Sequence, residues 1–162
     1  MLNNPAGGPS LIPAETHDAE TQFALGFTCA GVGTPQYTQA LEWYQKAADQ
    51  DHRLAQFNLG QMFAEGQGVP QCDSTAVMWI RRAANGGDVG AQFNLGERCT
   101  RACTQGSERE AAESRIEAYK WFKLAAVELY RDAQDRTDLA TVRMSREEVV
   151  EGNRRVKDFV VS

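Results

Sequence analysis

Four cysteines and two histidines are the side chains of this 162-residue chain best suited to chemistry: Cys29, Cys72, Cys99, Cys103, His17 and His52. Cys99 and Cys103 stand one helical turn apart, so two ligands of a tetrahedral zinc site are geometrically possible there. A closed site takes four ligands, and no other Cys or His has a supporting local spacing. No metal is expected. A thiolate nucleophile needs a base within hydrogen-bond reach. His17 precedes Cys29 by twelve residues on what should be one helix, about 18 Å along its axis. His52 falls in a turn, where a solvated side chain is expected. "GQGVP" (66–70) has the glycines of a phosphate-cradling loop but not its Lys and Ser/Thr. Acids abound, yet none forms a pair that spacing can place across a cleft. The residues therefore indicate no catalytic group and no cofactor, and the chain is read as a non-enzyme.

What the sequence does show is repetition. "AQFNLG" stands at 55–60 and again at 91–96, with "TQFALG" at 21–26. A second motif recurs as "ALEWYQKAA" (40–48), "AVMWIRRAA" (76–84) and "AYKWFKLAA" (118–126). The first two Trp are 36 residues apart and the next two 42, so the third repeat carries an insertion. Ala76, Trp79, Ile80, Ala83 and Ala84 form the stripe of an amphipathic helix. Ala55, Leu59 and Phe63, spaced by four, mark another. Glycine inside a helix costs about 1 kcal/mol relative to Ala. Its recurrence at Gly26, Gly60 and Gly96 predicts that a second helix approaches too closely for a side chain. The connector "EGQGVPQCDSTA" (65–76) breaks the helix, and Asp73 or Ser74 is expected to N-cap the next one. Helix pairs of this kind cannot bury their stripes alone and must stack.

Those residues resemble the Sel-one-like repeat family of the tetratricopeptide-like superfamily. The second repeat carries nearly the whole pattern: Ala55, Leu59, Gly60, Phe63, Gly66, Gly68, Val69, Asp73, Ala76, Trp79, Ala83, Ala84 and Gly87. The first departs at Thr21 and Cys29. The third departs at Cys99 and at "TQGSEREAAESRIE" (104–117), which replaces the glycine-rich turn. Cys29 and Cys99 occupy the slot of Phe63 and are expected to be small core residues, and all four cysteines are expected to be reduced and inert. The resemblance implies an all-α fold: an α-solenoid, a right-handed superhelix of stacked antiparallel helix pairs with a C-terminal capping helix. It divides the chain into a lead-in (1–13), three repeats within 14–131 (about 19–50, 55–87 and 91–130) and capping helices (132–162).

"MSREEV" (144–149) holds a capping box, Ser145 with Glu148, between Met144 and Val149 at staple positions. The helix it opens is expected to cover the last repeat with Val149, Val156, Val160 and Phe159. The N-terminus has neither a basic opening nor an apolar run of signal-peptide length, and no stretch is long enough to span a membrane. A cytoplasmic monomer is the expectation. Net charge −5 argues against a phosphate-binding surface and hence against nucleic acid as partner.

The family resemblance implies a module that binds another protein or peptide on its concave face. By analogy with tetratricopeptide repeats, the Phe of each hexapeptide and the positions four and seven later line that groove. These are Phe23, Phe27 and Ala30; Phe57, Gln61 and Ala64; Phe93, Glu97 and Thr100. The three Phe rings serve equally well as core between repeats. Gln22, Gln56 and Gln92 are expected to bond backbone groups in a neighbouring turn. The alternatives are an exported hydrolase, as in a cysteine-rich branch of the family with penicillin-binding and β-lactamase activity, and a purely structural subunit.

Overall fold

The computed structural model describes residues 18–31, 35–104 and 106–161. Eight helices and no strands occur among them: α1 (Ala19–Gly31), α2 (Tyr37–Asp49), α3 (Arg53–Glu65), α4 (Asp73–Asn85), α5 (Val89–Ala102), α6 (Glu108–Val127), α7 (Ala133–Val142) and α8 (Arg146–Val161). The proposed lead-in and His17 lie outside the described residues. Successive helices pack in pairs, α1 on α2, α3 on α4 and α5 on α6, and each pair stacks on the next. The fold is an α-solenoid. No helix among the described residues is long and apolar enough to cross a membrane.

Small residues set the spacing inside each pair. A Cβ added at Gly26 would lie 2.7 Å from the Tyr44 ring, at Gly60 2.6 Å from Ile80 Cγ1, and at Gly96 2.6 Å from the Phe122 ring. Tyr44, Ile80 and Phe122 each follow the Trp of their repeat, so one glycine receives one large side chain in every pair. Ala47, Ala48, Ala83, Ala84 and Ala125 on the second helices are fully buried, which lets the next pair approach.

The buried glutamines tie repeats together. Gln56 Nε2 donates to the Ala48 carbonyl at 3.1 Å, and Gln92 Nε2 to the Ala84 carbonyl at 3.2 Å. Each adds a further donor to a carbonyl in the last turn of the preceding helix, beside the backbone N–H of Asp51 on Ala48 and of Gly87 on Ala84. No helix precedes α1 among the described residues, and Gln22 accepts from Gln50 Nε2 at 2.8 Å.

Two local expectations are corrected. The residue that caps α4 is Cys72, in extended backbone and without a side-chain cap bond. Asp73 is already helical, and its carboxylate holds Arg98 at 2.6 Å. His52 is not a solvated turn residue but the N-cap of α3, its side chain only 12% exposed.

The extra length of the third repeat goes into helix. α6 runs for 20 residues where α4 has 13, and Ser107 with Glu110 forms a capping box at its start. This longer helix is the platform for the C-terminal elements, since both α7 and α8 pack on it. Ser145 and Glu148 form the expected box at the start of α8. Val156 and Phe159 pack against the core beside Trp121, and Gly152 admits the Tyr119 ring, 2.6 Å from where a Cβ would stand. Val160 does not join them: it is 71% exposed, one position past the buried stripe.

Candidate functional site

The first helices of successive pairs line two hollows that meet at Gln61. The larger, of about 330 Å³, lies between α3, α5 and the loop after α6. Phe57, Phe93 and Tyr130 give it aromatic surface, Gln61 and Asn94 give amides, and Glu97, Arg101 and Arg131 give charge. The smaller, of about 230 Å³, is lined by Phe27, Ala30, Tyr44, Asn58, Gln61 and Gln67 among others.

The three hexapeptide rings sit at junctions between repeats and differ in what covers them. Residues 52, 88 and 130 each follow a left-handed residue that ends a second helix: Asp51, Gly87 and Leu129. In this slot His52 stacks on Phe23 with centroids 4.7 Å apart, and Tyr130 lies against Phe93 at 5.6 Å. The middle slot holds Asp88, which turns inward to cap α5 by accepting the Ala91 N–H at 2.7 Å. Burial raises the Asp88 carboxyl above its usual range against that hydrogen bond. No ring therefore covers Phe57 among the described residues. A Cβ at Gly90 would stand 3.4 Å from both Phe57 and the Tyr130 hydroxyl, so Gly90 lies between them.

Electrostatics distinguish the larger hollow. Glu97 Oε1 is shielded from solvent and makes no hydrogen bond. Its compensation is the Arg136 guanidinium at 3.4 Å. Arg136 also holds Asp132 at 2.9 Å, and both carboxylates raise its affinity for its proton. Asn94 Oδ1 accepts from Arg98 Nε at 3.0 Å, which leaves its amide N–H groups to donate.

The structure brings Phe57, Gln61, Phe93 and Glu97 to the larger hollow and Phe27 with Gln61 to the smaller. Phe23 lines neither, being stacked under His52. Ala64 is half-buried beyond both. Thr100 opens onto a separate cavity of about 180 Å³ with Cys103, Arg115 and Arg143. Sequence reasoning did not single out Asn58, Asn94, Arg101, Tyr130 or Arg131. For the two asparagines a signal existed, because both are the fourth letter of "AQFNLG".

The cysteines divide by environment. All four are free. Cys29 and Cys99 pack half-buried against the core, and burial pushes the Cys99 thiol up to about 11. Cys72 differs from Cys99: the Ser74 hydroxyl at 3.3 Å and that of Thr75 at 3.2 Å bring it down to about 7.

A family model for the Sel1 repeat matches residues 19–52, 53–88 and 89–126. Among solved structures, one similar to this chain is a protective antigen present in uropathogenic Escherichia coli strains that displays an SLR fold. It is 25% identical with TM-score 0.74, over 88% of this chain and 30% of that one. Another is a Sel1 repeat protein from Oxalobacter formigenes, 29% identical with TM-score 0.59, over 72% of this chain and 46% of that one. The chain thus spans less than half the length of either. No curated protein matches it by sequence.

Proposed function

The chain belongs to the Sel1 repeat family, and on that premise we propose that the face lined by α1, α3 and α5 holds a segment of another protein. Sel1 repeat proteins are generally helical-repeat modules of protein–protein interaction. What supports this face in particular is the open ring of Phe57. Phe57 and Phe93 both border the hollow of about 330 Å³, but Phe23 and Phe93 have His52 and Tyr130 against them, whereas Phe57 has no ring partner among the described residues. An apolar side chain entering there removes ring surface from water at about 25 cal/mol per Å², roughly 1–2 kcal/mol for a half-exposed ring. Gln61, where the two hollows meet, lets a segment follow the face across repeats.

The test is capture of the native partner from cell extract by the wild-type chain, by Gln61→Arg and by Phe57→Ala, with melting measured alongside. Gln61→Arg should leave the melting temperature unchanged and alter capture. Phe57→Ala should weaken capture by the 1–2 kcal/mol above. Unchanged capture by both variants would move the binding surface elsewhere.

A further inference from the structure

We propose that the segment held in the larger hollow is acidic, an apolar side chain flanked by carboxylates. This rests on the interaction face inferred above and adds the partner's chemistry. The chain as a whole is acidic, with net charge −5. The larger hollow reverses that sign. Its described lining includes two arginines, Arg101 and Arg131, and one acid, Glu97. Glu97 is already opposed by Arg136, whereas Arg101 and Arg131 have no ion-pair partner among the described residues. The smaller hollow adds no charged side chain. An acidic chain that keeps two guanidinium groups without an ion-pair partner among the described residues, in the same hollow as Phe57, offers complementarity to carboxylates.

The two arginines come from different elements, which gives a segment two separate charges to meet. Arg101 stands in the last turn of α5. Arg131 follows Tyr130 in the loop after α6, with its guanidinium 5.2 Å from the Tyr130 ring centroid. The backbone at Arg131 is left-handed, φ 47°, as it is at Leu129, φ 53°. Non-glycine residues seldom adopt that conformation, and it costs roughly 1 kcal/mol or more. Here it turns Tyr130 onto Phe93 and Arg131 to the rim of the same hollow. A planar guanidinium offers paired N–H donors that match a carboxylate. The uncovered Phe57 takes the apolar side chain. Gln61 and Asn94, which also line the hollow, offer amide N–H groups to main-chain carbonyls of the segment.

The experiment uses three blocked, fluorescent heptapeptides: one phenylalanine flanked on both sides by glutamates, by glutamines or by lysines. Binding to the full chain is read by fluorescence anisotropy at low and at physiological salt. The glutamate peptide should bind most tightly, and salt should weaken it. Arg101→Gln with Arg131→Gln, both exposed and outside the core, should reduce its affinity about tenfold and leave the glutamine peptide unaffected. Equal or tighter binding of the lysine or glutamine peptide overturns the acidic assignment and leaves the interaction face standing, as does a double variant with unchanged affinity for glutamate. If none of the three binds, or if binding ignores Gln61→Arg and Phe57→Ala, the interaction face falls and this proposal with it.

Discussion

The His52 imidazole lies stacked on the Phe23 ring, centroids 4.7 Å apart, while its Nδ1 accepts the Ala55 amide N–H at 3.2 Å. Because Nδ1 accepts, the proton resides on Nε2, which donates to Glu20 at 3.0 Å. One side chain thus caps the first helix of repeat two and closes the junction with repeat one. The slot has a regular occupant elsewhere: Asp18 accepts from the Thr21 N–H at 2.8 Å, and Asp88 from that of Ala91.

This relationship sets the cost of losing the ring. His52→Ala should destabilise the chain by about 2 kcal/mol, roughly half from the cap and half from the ring contacts. His52→Asn keeps a cap acceptor without a ring and should recover about half of that loss. Chemical denaturation of the three proteins measures both. Equal losses would mean that the cap contributes nothing. No loss in either would mean that the junction does not depend on His52.

At Gly60 a methyl group would meet Ile80 Cγ1 at 2.6 Å and the Ala76 carbonyl oxygen at 3.1 Å. Neither is the free end of a flexible chain, so the helices must separate. Gly60→Ala is expected to cost about 1–3 kcal/mol, although alanine is the better helix former. At Gly31, at the end of α1, an added Cβ would have nothing within 4 Å among the described residues, so Gly31→Ala should be neutral or stabilising by up to about 1 kcal/mol. Thermal melts of both variants decide the matter. Similar shifts at the two positions would refute close approach as the reason for glycine at 60.

How far the sequence alone reaches can be seen by comparing such positions. Gly26, Gly60 and Gly96 were legible because a costly residue repeated in step with the helix period. Gln56 and Gln92 were legible because polar residues fell inside an apolar arc and needed partners. His52 was not, since Phe23 lies 29 residues upstream, beyond any local pattern. Only its alignment with Asp18 and Asp88 hinted at a cap. The third connector hid its helix because Glu and Arg on a solvated surface carry no apolar period. α7 is similar: it is anchored by the small Ala133 and Thr137 and shows no stripe. Arg131 reaches the hollow through two left-handed residues, and no spacing rule announces that in a Leu-Tyr-Arg run.

The docking of α8 should weaken in acid. Arg115 bonds Glu148 at 2.8 Å, and Arg155 bonds Glu117 at 2.8 Å and Glu113. Arg155 holds the Glu113 carboxyl below its ordinary value. At Glu148 burial pushes upward, but the Arg115 guanidinium and the Ser145 amide outweigh it and the net shift is downward. Folded values below the unfolded one mean stabilisation that is complete above about pH 4.5 and lost as pH falls through the folded values. Glu148→Gln should therefore lower the melting temperature at pH 7, and its gap to wild type should close below about pH 4. A gap independent of pH would show that the charge is not what matters. Deleting 145–162 should expose Trp121 and cause self-association. Ser145→Ala should cost about 1 kcal/mol through the lost cap.

The thiols should react in an order set by their surroundings. In the denatured, non-reduced protein four free thiols are expected. In the folded protein at pH 7.5 Cys72 should react first with iodoacetamide, because the Ser74 and Thr75 hydroxyls bring it to about 7. Its position at the N-terminus of α4 also favours the thiolate. Cys99 should react last, held near 11 chiefly by burial. The rate at Cys72 should rise through pH 7 and level off, following the thiolate fraction. Ser74→Ala with Thr75→Ala should move that rise toward the ordinary cysteine value of about 8.5. Peptide mapping of the first alkylated site provides the check. First labelling at Cys99 or Cys103, or a Cys72 profile that the double substitution leaves in place, would show that the hydroxyls do not govern this thiol.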